Sequence, residues 1–411
     1  MTNLTTLDRT PNSLKAKKDR WFGKGFSLVD SVKSDPAAAV ESAIRQAVTD
    51  GDTKLVIVMA AEEIGFESIK DGITRANLGS DTKVVGCSAG AQHSKEFGAT
   101  TGGVIVAALG GKGFKVQTAH AEVKDENLFD AAHSATAECI SELSGDHKLV
   151  MMFVDGLLGD SQEYVRGAYS AAGASWPLVG GAASDIGTFT TTWQFDGSTL
   201  VRGVVAVAIV SDSPIGIGVS HGWVEAGTKP MFVTKSKGMS ILELDGRPAL
   251  EVWAENIGVN IEDFANDEAL TAHLIMTHPL GLARDDRKEI RGLAGADIES
   301  KALIGVTVTP EGESLWIMSG SSQTVLESTE PGVKSAFENL QGEDAIGLMA
   351  FGCMARRIVL AEAELHDQEV DALVNAASNV PVVGMPVFGE IARTRGPRGF
   401  HNCTLITLAF A

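Results

Sequence analysis

Cys353-Met354-Ala355-Arg356 sets a thiol three residues ahead of a guanidinium, and Glu390 and His401 follow downstream. A thiol near Arg356 and Arg357 gains thiolate character, and an imidazole such as His401 brought against it would complete a cysteine nucleophile. The alternative for Cys353 is packing, because free cysteine is among the most commonly buried residues. Arg356 carries a planar fork that matches a carboxylate in two hydrogen bonds. Glu390 and Asp185 would then hold an ammonium group, so that together the three could grip an amino acid. A pairing of Arg356 with Glu390, or exposure of both, is the other reading. Cys87 follows an apolar run in the same setting as Cys353, whereas Cys139 and Cys403, like Cys87 itself, also suit packing. His221, ahead of Gly222-Trp223, is a candidate axial ligand for haem. No CxxCH attachment site and no second ligand accompany it, and His273 with His278 is spaced unlike a metal pair, so no metal is expected.

These residues follow apolar runs that recur. Lys54-Leu55-Val56-Ile57-Val58-Met59 returns as Lys148-Leu149-Val150-Met151-Met152-Phe153, and Val84-Val85-Gly86 returns at the same offset as Leu178-Val179-Gly180. Gly103 to Ala107 returns as Gly203 to Val207, and a third, weaker copy is legible in Ala345 to Ala350, Val382-Val383-Gly384 and Thr404 to Leu408. Fixed-period similarity marks duplicated supersecondary units. Each copy reads strand, helix, strand, strand. The helices are expected at Pro36 to Val48, entered through Asp35 and a proline at the first helical position, at Ser161 to Ala172, and at Asp367 to Ala377. Continuous β-branched runs such as Val204 to Val210 suit strands covered on both faces. The fold class is therefore α/β: layered mixed sheets with covering helices, built from repeated β-α-β-β units. Cys87, Asp185, Cys353 and Glu390 all fall just past strand ends, where α/β folds place their binding residues. Gly86, Gly180, Gly181, Gly384 and Gly389 allow either sharp turns and ligand approach or close packing.

Turn residues Ser211-Asp212-Ser213-Pro214 mark a boundary, dividing a tail over residues 1–24 from halves over 25–213 and 214–411. Beyond it a hairpin is expected between Ala302 to Val308 and Leu315 to Met318, across Pro310-Glu311-Gly312. Arg393, Arg395 and Arg398 form a local basic loop, able to focus an anion or simply solvated. The chain of 411 residues has a formal charge of −19, which repels nucleic acid and anionic lipid. No apolar run approaches the roughly 18 residues of a membrane span, and the start of the chain lacks the apolar core of a secretion signal. Four cysteines without CxxC spacing fit reduced thiols in a cytoplasm.

Cys87-Ser88-Ala89-Gly90, Gly180-Gly181-Ala182-Ala183-Ser184-Asp185, His221-Gly222-Trp223, Leu244-Asp245-Gly246-Arg247-Pro248-Ala249, His278-Pro279-Leu280-Gly281, Cys353-Met354-Ala355-Arg356, Gly389-Glu390-Ile391 and His401-Asn402-Cys403-Thr404 together resemble the FIST family. The resemblance runs from about Gly25 onward and makes the two halves a FIST N and a FIST C domain. It implies a ligand-sensing module of intracellular signal transduction, for which amino acids and other small molecules have been proposed. Some bacterial relatives are thought to bind haem and sense nitric oxide. The family also occurs in F-box proteins, but no F-box-like segment precedes the repeat. The expected partners are a small-molecule ligand and a separate signalling output protein. Three functions are carried forward: a sensor of a small anionic or zwitterionic metabolite, a haem-based nitric oxide sensor, and an enzyme using Cys353.

Overall fold

The computed structural model describes residues 20–29, 35–49, 51–94, 98–226, 229–262, 267–284, 287–378, 380–394 and 398–411. The first unit runs β1 (Trp21–Leu28), α1 (Pro36–Ala47), β2 (Thr53–Ala60), α2 (Phe66–Ala76), β3 (Lys83–Ser88), β4 (Gln92–Ser94), β5 (Gly98–Thr100) and β6 (Gly103–Gly110). The second repeats it with β7 (Phe114–Glu122), α3 (Leu128–Ile140), β8 (His147–Val154), α4 (Gln162–Ala172), β9 (Leu178–Ala182), β10 (Gln194–Asp196), β11 (Thr199–Val201) and β12 (Gly203–Ser211). The third opens with β13 (Ile215–Ser220) and is interrupted by an insertion. That insertion comprises β14 (Val224–Glu225), β15 (Met231–Lys237), β16 (Ser240–Leu244), β17 (Arg247–Pro248), α5 (Ala249–Ile257), α6 (Glu268–Thr277), β18 (Leu280–Arg284), β19 (Arg287–Arg291), β20 (Leu293–Asp297), β21 (Ala302–Gly305) and β22 (Ser314–Ser319). The unit resumes with α7 (Ser322–Glu327), α8 (Thr329–Glu338), β23 (Gly347–Cys353), α9 (Met354–Glu362), α10 (His366–Ala376), β24 (Val382–Val387), β25 (Glu390–Arg393), β26 (Phe400–His401) and β27 (Leu405–Phe410).

The expected helices and strands are in place, and Asp35 caps α1 by accepting from the Ala37 N–H. The repeat is longer than its sequence pattern suggested, since each unit also carries a leading edge strand with its own helix and a short hairpin. β1 begins at Trp21, inside the span expected as a tail over residues 1–24; residues 1–19 lie outside the described residues. Ser211 to Pro214 is the link between β12 and β13.

Three six-stranded sheets have one common order: β1-β6-β2-β3-β10-β11, β7-β12-β8-β9-β25-β26 and β13-β27-β23-β24-β4-β5. In each, the last two strands come from another unit. The second unit's hairpin completes the first sheet, the third unit's completes the second, and the first unit's completes the third, closing a ring. The short hairpins find their ladder bonds only on a neighbour's edge, which is why no local pattern announces them.

Alternation within the central strands explains their continuous apolar sequence. Leu55, Ile57 and Met59 of β2, Leu149, Met151 and Phe153 of β8, and Met349 and Phe351 of β23 meet in one core shared by all three sheets. The intervening Val56, Val58 and Ala60 pack under α1 and α2. Val150, Met152 and Val154 pack under α3 and α4. Such strands must be apolar on both faces. The repeated glycines serve packing: a Cβ at Gly86 would fall 2.0 Å from the Val58 carbonyl oxygen, and one at Gly180, whose φ is +135°, 2.0 Å from that of Met152.

The insertion forms a nine-stranded sheet with its own core around Trp253. Its order, β19-β18-β22-β15-β16-β21-β20, corrects the expected hairpin: β21 pairs with β16 and β20, and β15 and β16 separate it from β22. Among the described residues no helix is long and apolar enough to cross a membrane.

Candidate functional site

β25 carries Glu390 into the second sheet, opposite Gly181 of β9 and His401 of β26. The chain then turns through Asn402-Cys403-Thr404 and returns to the third sheet as β27, beside β23 and its terminal Cys353. Two sheets therefore meet around Glu390, Cys353, Cys403 and Thr404. Cys353 also begins α9, whose first turn points Arg356 inward. The insertion covers the turn: Trp223 Nε1 donates to the Cys403 carbonyl at 2.7 Å, Arg291 Nη1 to the Phe400 carbonyl at 3.2 Å, and the Gly292 N–H to Asn402 Oδ1 at 3.2 Å.

Of the residues singled out in the sequence, Cys353, Arg356, Glu390, His401 and His221 are brought together. Glu390 is completely buried. Its Oε2 accepts the Thr404 N–H at 3.1 Å and the Thr404 hydroxyl at 2.8 Å. Burial, reinforced by the Cys353 thiol beside it, holds this carboxyl well above the usual range despite the Thr404 bonds. Complete burial, with no cation against it among the described residues, therefore favours its protonated form. The thiol makes no hydrogen bond of acceptable geometry to Oε1, which is buried without a partner.

His401 Nε2 bonds the Ala392 carbonyl at 2.9 Å, and the Trp223 N–H donates to His221 Nδ1 at 3.3 Å. Both imidazoles are half-buried, His401 opposite Glu390 and His221 near His401 and Arg356. Burial and the nearby Arg356 charge depress the basicity of His221, keeping it neutral. An accepting Nδ1 assigns its proton to Nε2. Axial haem ligation through Nε2 would require the other tautomer, with the proton on Nδ1 and the Trp223 contact given up.

Arg356 is 1 % exposed and already engaged. Its Nη2 pairs with Glu369 of α10 at 2.6 Å and also bonds the Val325 carbonyl at 3.1 Å and Thr329 Oγ1 at 3.3 Å, while Nη1 bonds Ser328 Oγ at 2.9 Å. Only Nε remains buried without a partner. The fork expected to clasp a ligand carboxylate is thus used within the protein, and its partner is Glu369 rather than Glu390.

Asp185 and Cys87 are not part of this group. Asp185, 1 % exposed, accepts the N–H groups of Gly187, Thr188, Phe189, Thr190 and Thr191 and the Thr188 hydroxyl, all between 2.8 and 3.1 Å. Burial pushes this carboxyl up, but the backbone donors outweigh it and set it at about 2. It organises the 186–191 loop and has no capacity left for an ammonium group. Cys87 lies in the central core, its Sγ 3.9 Å from Met385 Sδ, and burial raises its thiol far above the ordinary value. Of the basic loop, the two described arginines are engaged separately. Arg393 is buried, donating to the Gly173 and Trp176 carbonyls at 3.1 and 3.0 Å and stacking 4.1 Å from the Tyr169 ring. Arg398 reaches Glu313 at 3.5 Å, and Arg395 lies outside the described residues.

The Cys403 thiol and burial push Cys353 well above the ordinary thiol range, so the thiolate needed by a nucleophile is scarce. Iodoacetamide is expected to label Cys353 in the native protein at least about tenfold more slowly than a free thiol at neutral pH. Labelling as fast as a free thiol, read by peptide mass spectrometry, would revive the enzyme reading. Sequence reasoning missed Glu369, Thr404 and Ser328. Glu369 left a signal, being one turn from Leu373 on the apolar face of its helix. Among the described residues no group of His, Cys, Asp and Glu is placed to hold a metal ion.

These features define a ring of three α/β units with a buried polar cluster where two of its sheets meet. The chain belongs to the FIST family: the FIST N domain matches residues 54–247 and the FIST C domain residues 249–393. FIST domains are associated with sensory signal transduction. No curated protein matches the chain. Among solved structures it is similar to a chorismatase, at 10% identity over 95% of this chain and 98% of that one, with a TM-score of 0.38. A cyanuric acid hydrolase from A. caulinodans is similar at 9% identity over 95% and 99%, with a TM-score of 0.37.

Proposed function

We propose that the protein is a sensory protein that binds a small acidic metabolite at the cluster formed by Glu390, Cys353, Arg356, His401 and His221. The observation that carries this reading is two buried polar atoms without partners, Glu390 Oε1 and Arg356 Nε, in a cluster that includes the half-buried His401 and His221. Buried polar groups are nearly always hydrogen-bonded, so such a pair marks a place where a ligand supplies what the protein lacks. The position supports it too. Gly181 belongs to the expected amino-terminal half and Glu390 to the carboxy-terminal half, so a ligand here touches both and can bias how they pack. The signal passes to a separate output protein, and the acidic charge of −19 and four free thiols suit a cytoplasmic setting.

A thermal-shift screen of small carboxylic acids and amino acids tests the reading, because a ligand that binds only the native state raises the melting temperature. At least one compound is expected to do so with wild-type protein and to lose the effect with Glu390→Ala. A shift that survives Glu390→Ala would place the ligand elsewhere.

A further inference from the structure

The fold treats the two oxygens of Glu390 differently. Oε2 receives both Thr404 donors, whereas Oε1 is buried and bonded to nothing. With the acceptor directions of Oε2 occupied, the proton of this neutral acid sits on Oε1, a donor without an acceptor. Arg356 repeats the pattern, since Nη1 and Nη2 are engaged and the Nε–H is not. His221 adds a third donor, because its Nδ1 accepts from Trp223 and its proton is on Nε2. Apart from His401, whose Nε2–H is spent on the Ala392 carbonyl, the polar groups the cluster still offers are donors.

The repeat makes Glu390 stand out. Gln194 pairs with Cys87, the residue after Gly86, as Glu390 pairs with Gly181, the residue after Gly180. The equivalent side chain in the second unit is thus an amide, whose Nε2 donates to the Val201 carbonyl at 2.8 Å. Gln92, next to the His93 that pairs with Gly384, falls in the same register in the first unit. Only at the third position is the group able to lose a proton.

Building on the site proposed above, we infer that its ligand is a small carboxylic acid whose polar atoms are oxygen acceptors only, a 2-oxo acid rather than an amino acid, taken up with the Glu390 proton in place. The carboxylate and carbonyl oxygens of such a ligand accept from Glu390 Oε1–H and Arg356 Nε–H. The ammonium of an amino acid would meet donors instead, because each nearby carboxyl is committed: Glu369 to Arg356, Asp185 to its loop, and Glu390 to its proton. An ammonium buried without an acceptor opposes binding strongly.

A pH dependence follows. The groups around Glu390 are Cys353 at the end of β23 and His401 on β26, with Cys403 beside Cys353 and His221 near both His401 and Arg356. Of these, Cys353 and His221 are neutral at pH 7. One proton held between two carboxyls is favourable, and two carboxylates are not. Affinity is therefore present while Glu390 is protonated and falls as rising pH removes that proton.

The experiment is isothermal titration of the full-length protein with pyruvate, 2-oxobutyrate and 2-oxoglutarate, each set against alanine, 2-aminobutyrate and glutamate. At least one oxo acid is expected to bind about tenfold or more tightly than its amino acid, with affinity falling as pH rises. Glu390→Gln keeps an N–H donor there and is expected to bind without that pH dependence, while Glu390→Ala does not bind. Amino acids binding as well as oxo acids, with the same dependence on Glu390, would overturn the ligand class and leave the site standing. Binding by none of the six, or binding indifferent to Glu390→Ala, would remove the site itself.

Discussion

Glu369→Ala is expected to lower the unfolding free energy by about 3–5 kcal/mol, the usual consequence of leaving one member of a buried ion pair uncompensated. The stranded charge would be that of Arg356, which is enclosed by α7, α8 and α10 and has Ser328, Thr329 and the Val325 carbonyl as its remaining partners. Arg356→Met combined with Glu369→Leu removes both charges together. It is expected to recover most of the loss, because desolvation offsets much of what such a pair gains. Urea unfolding of the single and double variants measures both effects. A loss below about 1 kcal/mol for Glu369→Ala would mean the pair behaves as an exposed one. The same variants separate fold from function. If Arg356 acts on a ligand only through its Nε–H, the double variant stays folded and loses binding.

Asp185→Asn carries the second large effect. The substitution replaces one oxygen by an NH2 group facing backbone donors and breaks a set of hydrogen bonds that closes the 186–191 loop, at a cost of about 2–4 kcal/mol. The backbone donors hold the native carboxyl at about 2, well below its ordinary value. A depressed acid contributes stability that is present above its unfolded value and lost as pH falls through the folded one. The wild-type protein should therefore lose about 2 kcal/mol between about pH 4 and pH 2 from this group alone, and Asp185→Asn should lack that component. Denaturant midpoints across that range check it; parallel pH profiles for the two proteins would show that the loop does not depend on the charge. The loop also touches the site, since Phe189 stacks on Phe388 at 4.2 Å, two residues before Glu390.

The central strands were legible because burial on both faces leaves a continuous apolar run, and Val204 to Val210 is buried throughout. The exchanged hairpins were not. Strands of two to four residues such as β10, β25 and β26 take their register from another unit's edge, and sequence periodicity does not reach across that gap. At the site, the structure brings Cys353, Glu390 and His401 into one place, whereas Cys87 and Asp185, read as following strand ends in the same way, lie elsewhere. Spacing past strand ends also misjudged the electrical state of the site. A carboxyl is an anion in the sequence alphabet, but complete burial makes Glu390 an acid, and a guanidinium free in the sequence was already paired with Glu369. Asp185 left a readable trace in the small polar residues that follow it, Gly187, Thr188, Thr190 and Thr191, whose backbone N–H groups a single carboxylate can gather.

Native mass spectrometry of freshly purified wild-type and Glu390→Ala protein, each also incubated with the acid panel, puts the proposed site to the most direct test. The expected spectrum shows a small acid on the wild-type chain and none on the variant. A ligand carried equally by both proteins, or by neither after incubation, would contradict a binding site at Glu390.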